Sequence, residues 1–548
     1  MRRRQPFFIT AGLLAVVLIV TGFLPASAPA QSQRDRRSQF NPSFPSQPES
    51  RIFQQQSKPE RPDAGPAVQQ QAALIKPPEE TSSETRHSIT IGGKPLPYTA
   101  IAGTMLLKTE EGRAKAAIYY TAYFRSDVRD AAARPLTFAF NGGPGSSSVW
   151  LHMGAFGPRK VRLDDEGFPL PAVFELVDNE YTLLDATDLV FIDPVSTGYS
   201  RAVPGENPSQ FHGYLEDIES VGEFIRLFVT RRGRWASPKF ILGESYGTVR
   251  ASGLAGWLQG RAPGMFLNGI VLVSSAINFQ NFRFAPGNDL PNIFFVPTYA
   301  ADAWYHKKLA ADLQAGPVAD VVEEARRFAL GPYATALMKG NALPDAEKKA
   351  IGADLARLTG LDPAFVDRAN LRITLPRFCK ELLRGERKTI GRLDGRLTGF
   401  DYDAAGEVYE SDPSNDAIYG PFAAALNAYL RGELKYETDI VYAISGNVRP
   451  WSYADSQNEY LNVSETLRRA MTENRFLKVF LANGYYDGAT PFLATEYTVS
   501  HMDPGGEIKD RVAFGYYEAG HMMYTHKPSH AKLKADIAAF MKSALPQR

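Results

Sequence analysis

Lys239-Phe240-Ile241-Leu242-Gly243-Glu244-Ser245-Tyr246-Gly247 is the stretch on which the fold turns. The run 239–242 has the pattern of a short strand and 249–258 that of a helix. Gly-x-Ser-x-Gly therefore falls on a strand-to-helix turn. Glycine at 243 and 247 lets strand and helix close around a strained turn that lifts the serine hydroxyl out of a sheet. The alternative is a glycine-bounded turn with an ordinary serine, and the surrounding sequence separates the two.

Short apolar runs at 136–140, 189–192, 240–242, 270–273, 479–482 and 512–517 suit strands of a mostly parallel sheet buried on both faces. Before them, 88–91, 98–107 and 116–124 read as antiparallel strands, with ordered sequence starting near His87. About two hundred residues separate the fourth and fifth parallel runs, far more than a crossover needs. The first part of that stretch is helical in pattern at 301–313, 318–330, 345–358 and 363–371. A largely helical cap insertion is expected there.

A serine that attacks a carbonyl needs a base, a group that orients the base, and donors for the oxyanion. Of eight histidines, His521 follows the last strand run on a loop facing the turn; His87, His306, His526 and His530 have blander settings. Asp487 follows the run 479–482 and precedes His521, giving the order Ser, Asp, His. Asp193 also ends a strand but precedes the serine, and is expected to hydrogen-bond the loop 194–200. Asn141-Gly142-Gly143-Pro144-Gly145 follows the run 136–140, so the N–H groups of Gly143 and Tyr246 are the candidate oxyanion donors. A phosphate loop is excluded because Gly-Lys-Ser/Thr is missing. Asp401-Tyr402-Asp403-Ala404-Ala405-Gly406 faintly matches a calcium loop, but lacks its closing glutamate and reads as a solvated acidic turn.

Asn141-Gly142-Gly143-Pro144-Gly145-x-Ser147-Ser148, Gly243-Glu244-Ser245-Tyr246-Gly247, Asp487 and Gly520-His521-Met522 together resemble the serine carboxypeptidase family. Phe156-Gly157-Pro158 and Asp193-Pro194-Val195-Ser196-Thr197-Gly198-Tyr199-Ser200 also look like family segments. The resemblance implies an α/β-hydrolase fold: a mostly parallel sheet, antiparallel N-terminal strands and a largely helical cap. It implies Ser245, Asp487 and His521 as triad, Gly143 and Tyr246 as oxyanion hole, and Asn141, Gly142, Glu244 and Met522 on the substrate. Family members hold a peptide's free carboxylate with an asparagine, two glutamates sharing a proton, and a tryptophan. The second glutamate falls at Ala155 and the tryptophan at Ala139; the family's loop cysteine is Ser146. Two close carboxyls cannot both ionise, so one keeps a proton and donates to the substrate. Glu244 alone, if ionised, would repel that carboxylate. The implied activity is thus a serine-type carboxypeptidase, with a serine esterase or acyltransferase on the same triad as alternative. A binding protein that has kept the fold is a third reading.

Composition bounds the rest. A chain of 548 residues with 44% hydrophobic content can bury a sizeable core, and a net charge of +1 argues against a nucleic-acid partner. Its single cysteine, Cys379, rules out an intramolecular disulfide and a multi-cysteine metal site, and reads as a buried small side chain. No metal or cofactor is assigned; the expected partner is a peptide or acyl substrate, and oligomeric state is not legible. Arg2, Arg3 and Arg4, the apolar run 7–24, and Ala26-Ser27-Ala28 or Ala28-Pro29-Ala30 form the pattern of an export signal. The expected location is the bacterial periplasm or outside the cell, with no membrane attachment once the signal is cleaved. An uncleaved anchor is the alternative. The organisation expected is a signal peptide at 1–30, a disordered Pro/Gln/Ser-rich linker at 31–85, hydrolase core at 86–275 and 451–548, and the cap at 276–450.

Overall fold

Ten strands make the sheet on which the chain is built, in a computed structural model that describes residues 79–260 and 262–546. The signal peptide expected at 1–30 and most of the linker expected at 31–85 lie outside the described residues. In chain order the strands of the structure are β1 (Ser82–Ile91), β2 (Lys94–Lys108), β3 (Ala114–Arg125), β4 (Leu136–Phe140), β5 (Arg159–Val161), β6 (Leu176–Asp178), β7 (Asp188–Ile192) and β8 (Arg201–Ala202). They continue with β9 (Lys239–Glu244), β10 (Gly269–Val273), β11 (Lys388–Ile390), β12 (Thr398–Phe400), β13 (Lys478–Gly484) and β14 (Val512–Tyr517). The main sheet runs β1-β2-β3-β7-β4-β9-β10-β13-β14, with β8 beside β3, while β5–β6 and β11–β12 form separate pairs. Pairing is antiparallel from β1 to β7 and parallel from β7 to β14. This is the α/β-hydrolase fold expected from the sequence. The first strand opens at Ser82, so the boundary expected at 85/86 falls inside β1.

Alternate strand residues enter different cores, as a period of two requires. Phe138, Ile241, Leu272 and Leu481 face the helices Tyr214–Arg231, Tyr246–Gln259 and Ser464–Glu473. Leu242, Val273, Phe480 and Ala482 face the opposite way, onto Leu533, Ile537 and Phe540 of helix Lys527–Ala544. Burial on both faces is why these strands read as unbroken apolar runs.

A third core joins helices Val296–Tyr305, Val318–Phe328, Asp345–Thr359 and Leu375–Glu381. The insertion 276–450 does not pack as one body, however. Helix Pro413–Gly432 places Phe422, Leu426 and Tyr429 in the same core as Val273 and Phe480, on the sheet. Beyond it the chain returns to the glycine loop, where Ser147 N donates to Ile444 O (2.9 Å) and Gly446 N to Gly145 O (2.7 Å).

The acidic turn at 401–406 also differs from expectation. Asp401 buries its side chain and accepts an ion pair from Lys380 Nζ at 2.5 Å, Lys380 itself being fully buried beside the equally buried Cys379. Lys380→Ala would strand a buried carboxylate. It is expected to cost about 3–5 kcal/mol in denaturant unfolding, whereas Lys380→Met with Asp401→Leu should be near neutral.

Candidate active site

The parallel register brings the strand ends to one edge. Phe140 lies opposite Gly243, Val273 opposite both Glu244 and Ala482, and Gly484 opposite Tyr517. Asn141, Ser245, Ser274, Asp487 and His521 all follow these ends, at the carboxyl edge where an open α/β sheet leaves its crevice.

Ser245 sits at φ 60°, ψ −127°, a strained conformation for a residue with a side chain. A Cβ on Gly243 would collide with the Gly247 carbonyl, and one on Gly247 would come within 2.7 Å of Phe140 O. Only glycine allows the helix to start this close to the strand. Ser245 N donates to Val273 O at 3.0 Å. Within the buried run 239–250, Ser245 alone is partly exposed among the elbow residues that follow β9.

His521 Nδ1 donates to Asp487 Oδ2 at 2.9 Å, and both side chains are buried. Asp487 is fixed in turn by Ala489 N (2.8 Å), Thr490 N (2.9 Å) and Thr490 Oγ1 (2.5 Å). Ser274 Oγ holds the His521 carbonyl at 2.7 Å. Burial works against a charged imidazole, yet the Asp487 carboxylate, with Glu244 further off, outweighs it and raises the His521 pKa. Among the described residues Ser245 Oγ makes no hydrogen bond to His521; such contacts are often long before substrate binds.

The glycine loop packs directly on the elbow, since a Cβ on Gly142 would collide with Tyr246 N. Tyr246 N opens helix Tyr246–Gln259, where first-turn N–H groups have no intrahelical partner. Gly143, at φ 106°, is exposed, and neither its N–H nor that of Tyr246 donates to a protein group among the described residues. Two free donors beside a partly exposed serine can stabilise an oxyanion.

Glu244 is 2% exposed, and its Oε2 accepts from Tyr524 OH at 2.7 Å. Burial pushes its pKa up to about 7, against the opposing pull of His521 and the Tyr524 hydrogen bond. Asn141 Oδ1 accepts from Leu151 N at 3.0 Å, while its Nδ2 faces Glu244 and Tyr524 without a hydrogen bond of normal geometry. Ala155 is buried in the turn Leu151–Phe156. A Cβ on the adjacent Gly154 would lie 2.8 Å from the Tyr524 ring, so that ring fills the space beside this turn. Met522 is buried in the core next to His521, with its carbonyl held by Thr525 N at 2.9 Å. Ala139 lies buried within β4.

Thr490, Ser274 and Tyr524 were not singled out by sequence. Thr490 carries a local mark, standing three residues after Asp487 as in an Asx turn; the other two meet their partners only through the fold. Asp193 accepts from Ser200 Oγ at its backbone carbonyl (2.6 Å) and from Ser148 N at Oδ1 (2.8 Å), so it ties the loop 194–200 to the glycine loop, and burial pushes its carboxyl pKa up to about 7.

Among the described residues no helix is long and apolar enough to cross a membrane. The chain is 31% identical over 122 residues to serine carboxypeptidase-like 29 of Arabidopsis thaliana, covering 22% of this chain and 24% of that protein. It thus spans about a quarter of that relative's length. A prohormone-processing carboxypeptidase from Saccharomyces cerevisiae superposes with a TM-score of 0.49 at 15% identity, over 81% of this chain and 91% of that one. Proline iminopeptidase from Mycobacterium smegmatis does so at 0.35 and 13% identity, over 81% and 98%. Residues 95–259, which hold the glycine loop and the Ser245 elbow and stop short of Asp487 and His521, match the serine carboxypeptidase family.

Proposed function

We propose that the protein is a serine hydrolase of the carboxypeptidase family that removes C-terminal residues from peptides. Ser245 Oγ attacks the scissile carbonyl while His521 Nε2 takes its proton and passes it to the leaving amine. Asp487 holds the imidazole's tautomer, and the N–H groups of Gly143 and Tyr246 receive the oxyanion. Water, activated by His521, then hydrolyses the acyl-enzyme.

The observation that carries peptide acids over other acyl substrates is the trio Glu244, Tyr524 and Asn141 beside the nucleophile. With the Tyr524 hydroxyl on Oε2, a protonated Glu244 has its other oxygen free to donate to a carboxylate, and Asn141 Nδ2 is a second donor. Burial, rather than a second glutamate at Ala155, favours the protonated acid, and the Tyr524 hydroxyl fixes the direction of its carboxyl. An N-blocked dipeptide with a free C-terminal carboxylate should be cleaved and its C-terminal amide spared, with cleavage favoured below pH 7. Turnover of the amide, or of neither, would remove peptide acids as the substrate class. Tyr524→Phe should raise KM for the acid about tenfold, equivalent to about 1.4 kcal/mol, and leave kcat near its original value.

The absence of that glutamate at Ala155 favours a second reading, a serine esterase or acyltransferase using the same triad. Transacylated product on adding an acceptor alcohol would establish it. For location, the arginines and apolar run at the N-terminus support export by a cleaved signal. An exported protein beginning near Gln31 is expected on N-terminal sequencing, and one beginning at Met1 would mean a retained anchor.

A further inference from the structure

The insertion that leaves the sheet after β10 comes back to touch both loops that carry Asp487 and His521. His521 N donates to Leu393 O at 2.6 Å, and Gly520 N donates to Asp394 Oδ2 at 3.1 Å. Gly395 N donates to Tyr486 O at 3.0 Å, one residue before Asp487. A Cβ on Gly520 would come within 2.5 Å of Asp394 Cβ, so the two backbones meet with no room for a side chain. The segment is itself braced. Arg396 Nε and Nη2 grip the two Asp394 oxygens at 3.0 and 2.7 Å, with both side chains nearly inaccessible. Ser414 Oγ accepts from Leu393 N at 2.9 Å, and His306 Nε2 donates to Gly395 O at 2.7 Å.

The N–H groups of Gly520 and His521 are thus both satisfied by residues of the insertion. The hydrolase layer holds the same loop through Ser274 Oγ on the His521 carbonyl and Tyr486 N on Ala519 O (3.1 Å), besides the imidazole's own bond to Asp487. Two backbone hydrogen bonds at consecutive residues set the path of the loop, and with it the direction in which the imidazole leaves the chain. A displacement of about 1 Å in such a group can cost about a hundredfold in rate.

We propose that residues 393–396 are a positioning element for His521, with Asp394 as its key side chain and Arg396 holding that carboxylate in place. Docking of the insertion then completes the geometry of the base. This rests on Ser245, Asp487 and His521 acting as a triad.

The test compares two double variants, neither of which leaves a buried charge unpaired. Asp394→Asn/Arg396→Gln keeps an acceptor for Gly520 N, and Asp394→Ala/Arg396→Gln removes it. The readouts are the rate of Ser245 labelling by a fluorophosphonate across pH, the low-field imidazole proton resonance, and the thermal midpoint. The asparagine variant should label close to the wild-type rate. The alanine variant should label about 10- to 100-fold more slowly, with a shifted pH profile and a displaced imidazole resonance at a similar thermal midpoint. Equal rates and equal pH profiles in the two folded variants would overturn the proposal. If the alanine variant does not accumulate, Asp394→Ser/Arg396→Gln makes the same comparison, serine being too short to reach Gly520 N. Failure of the wild-type protein itself to label at Ser245 would instead bring down the triad on which the proposal rests.

Discussion

Ser245→Ala is expected to lower turnover by about a millionfold and to abolish labelling by a serine-directed phosphonate. The reason is chemical, because alanine leaves the elbow in place: the residue keeps the positive φ that Gly243 and Gly247 make room for. The thermal midpoint should therefore stay close to that of the parent. Ser245→Gly should be equally inactive yet more stable by about 1 kcal/mol, since glycine adopts this conformation without strain. Asp487→Asn should cost about 10⁴ in kcat, because an amide at Oδ2 no longer enforces the Nδ1–H tautomer of His521. Persistent labelling of Ser245→Ala would show that another residue is the nucleophile.

The second large effect is on stability and on pH. In the folded chain Glu244 keeps its proton up to about pH 7, against an ordinary value of 4.5. Between those values the folded protein holds a proton that the unfolded chain has released. The contribution of this group to stability therefore falls as pH rises from 4.5 to 7. The gap corresponds to about 3 kcal/mol. Glu244→Gln, a neutral stand-in for the protonated acid, should be more stable than the parent by about that amount above pH 7, with the gain vanishing near pH 4.5. Function should also decline as the proton is lost. In the parent, KM for a peptide acid should rise as pH passes 7 and Glu244 ionises. In Glu244→Gln that limb should flatten, while the limb set by His521 in kcat remains. A variant no more stable than the parent at pH 8 would mean that the fold does not raise the Glu244 pKa, so that the carboxyl has already lost its proton between pH 4.5 and 7.

Much of the architecture was legible because each central strand is buried on both faces. An apolar run of four or five residues between turn residues has few other solutions, and 136–140 coincides with β4 while 270–273 lies within β10. The elbow was legible because its chemistry is local: strand, Gly-x-Ser-x-Gly and helix lie within twenty residues. Asp487 and His521 could be placed because each comes after a readable strand, and parallel strands deliver the loops at their carboxyl ends to one edge. Residues 413–432, which form helix Pro413–Gly432 on the sheet, fell inside the expected cap for the complementary reason. Its apolar stripe reports that one face is buried, not whether the partner is the cap or the sheet.

The chain determines by itself the features that depend on residue type and short spacing: strands, elbow, glycine loop and the order Ser, Asp, His. Contacts between distant segments were decided by the tertiary structure alone. Tyr524 reaches Glu244 across 280 residues of sequence, and Asp394 meets Gly520 across 126. Asp401 finds its buried cation in Lys380. In each case a polar group could have been solvated, paired or bound to substrate, and no local pattern distinguishes these. Only packing, by removing water from around the group, decides which partner it must take.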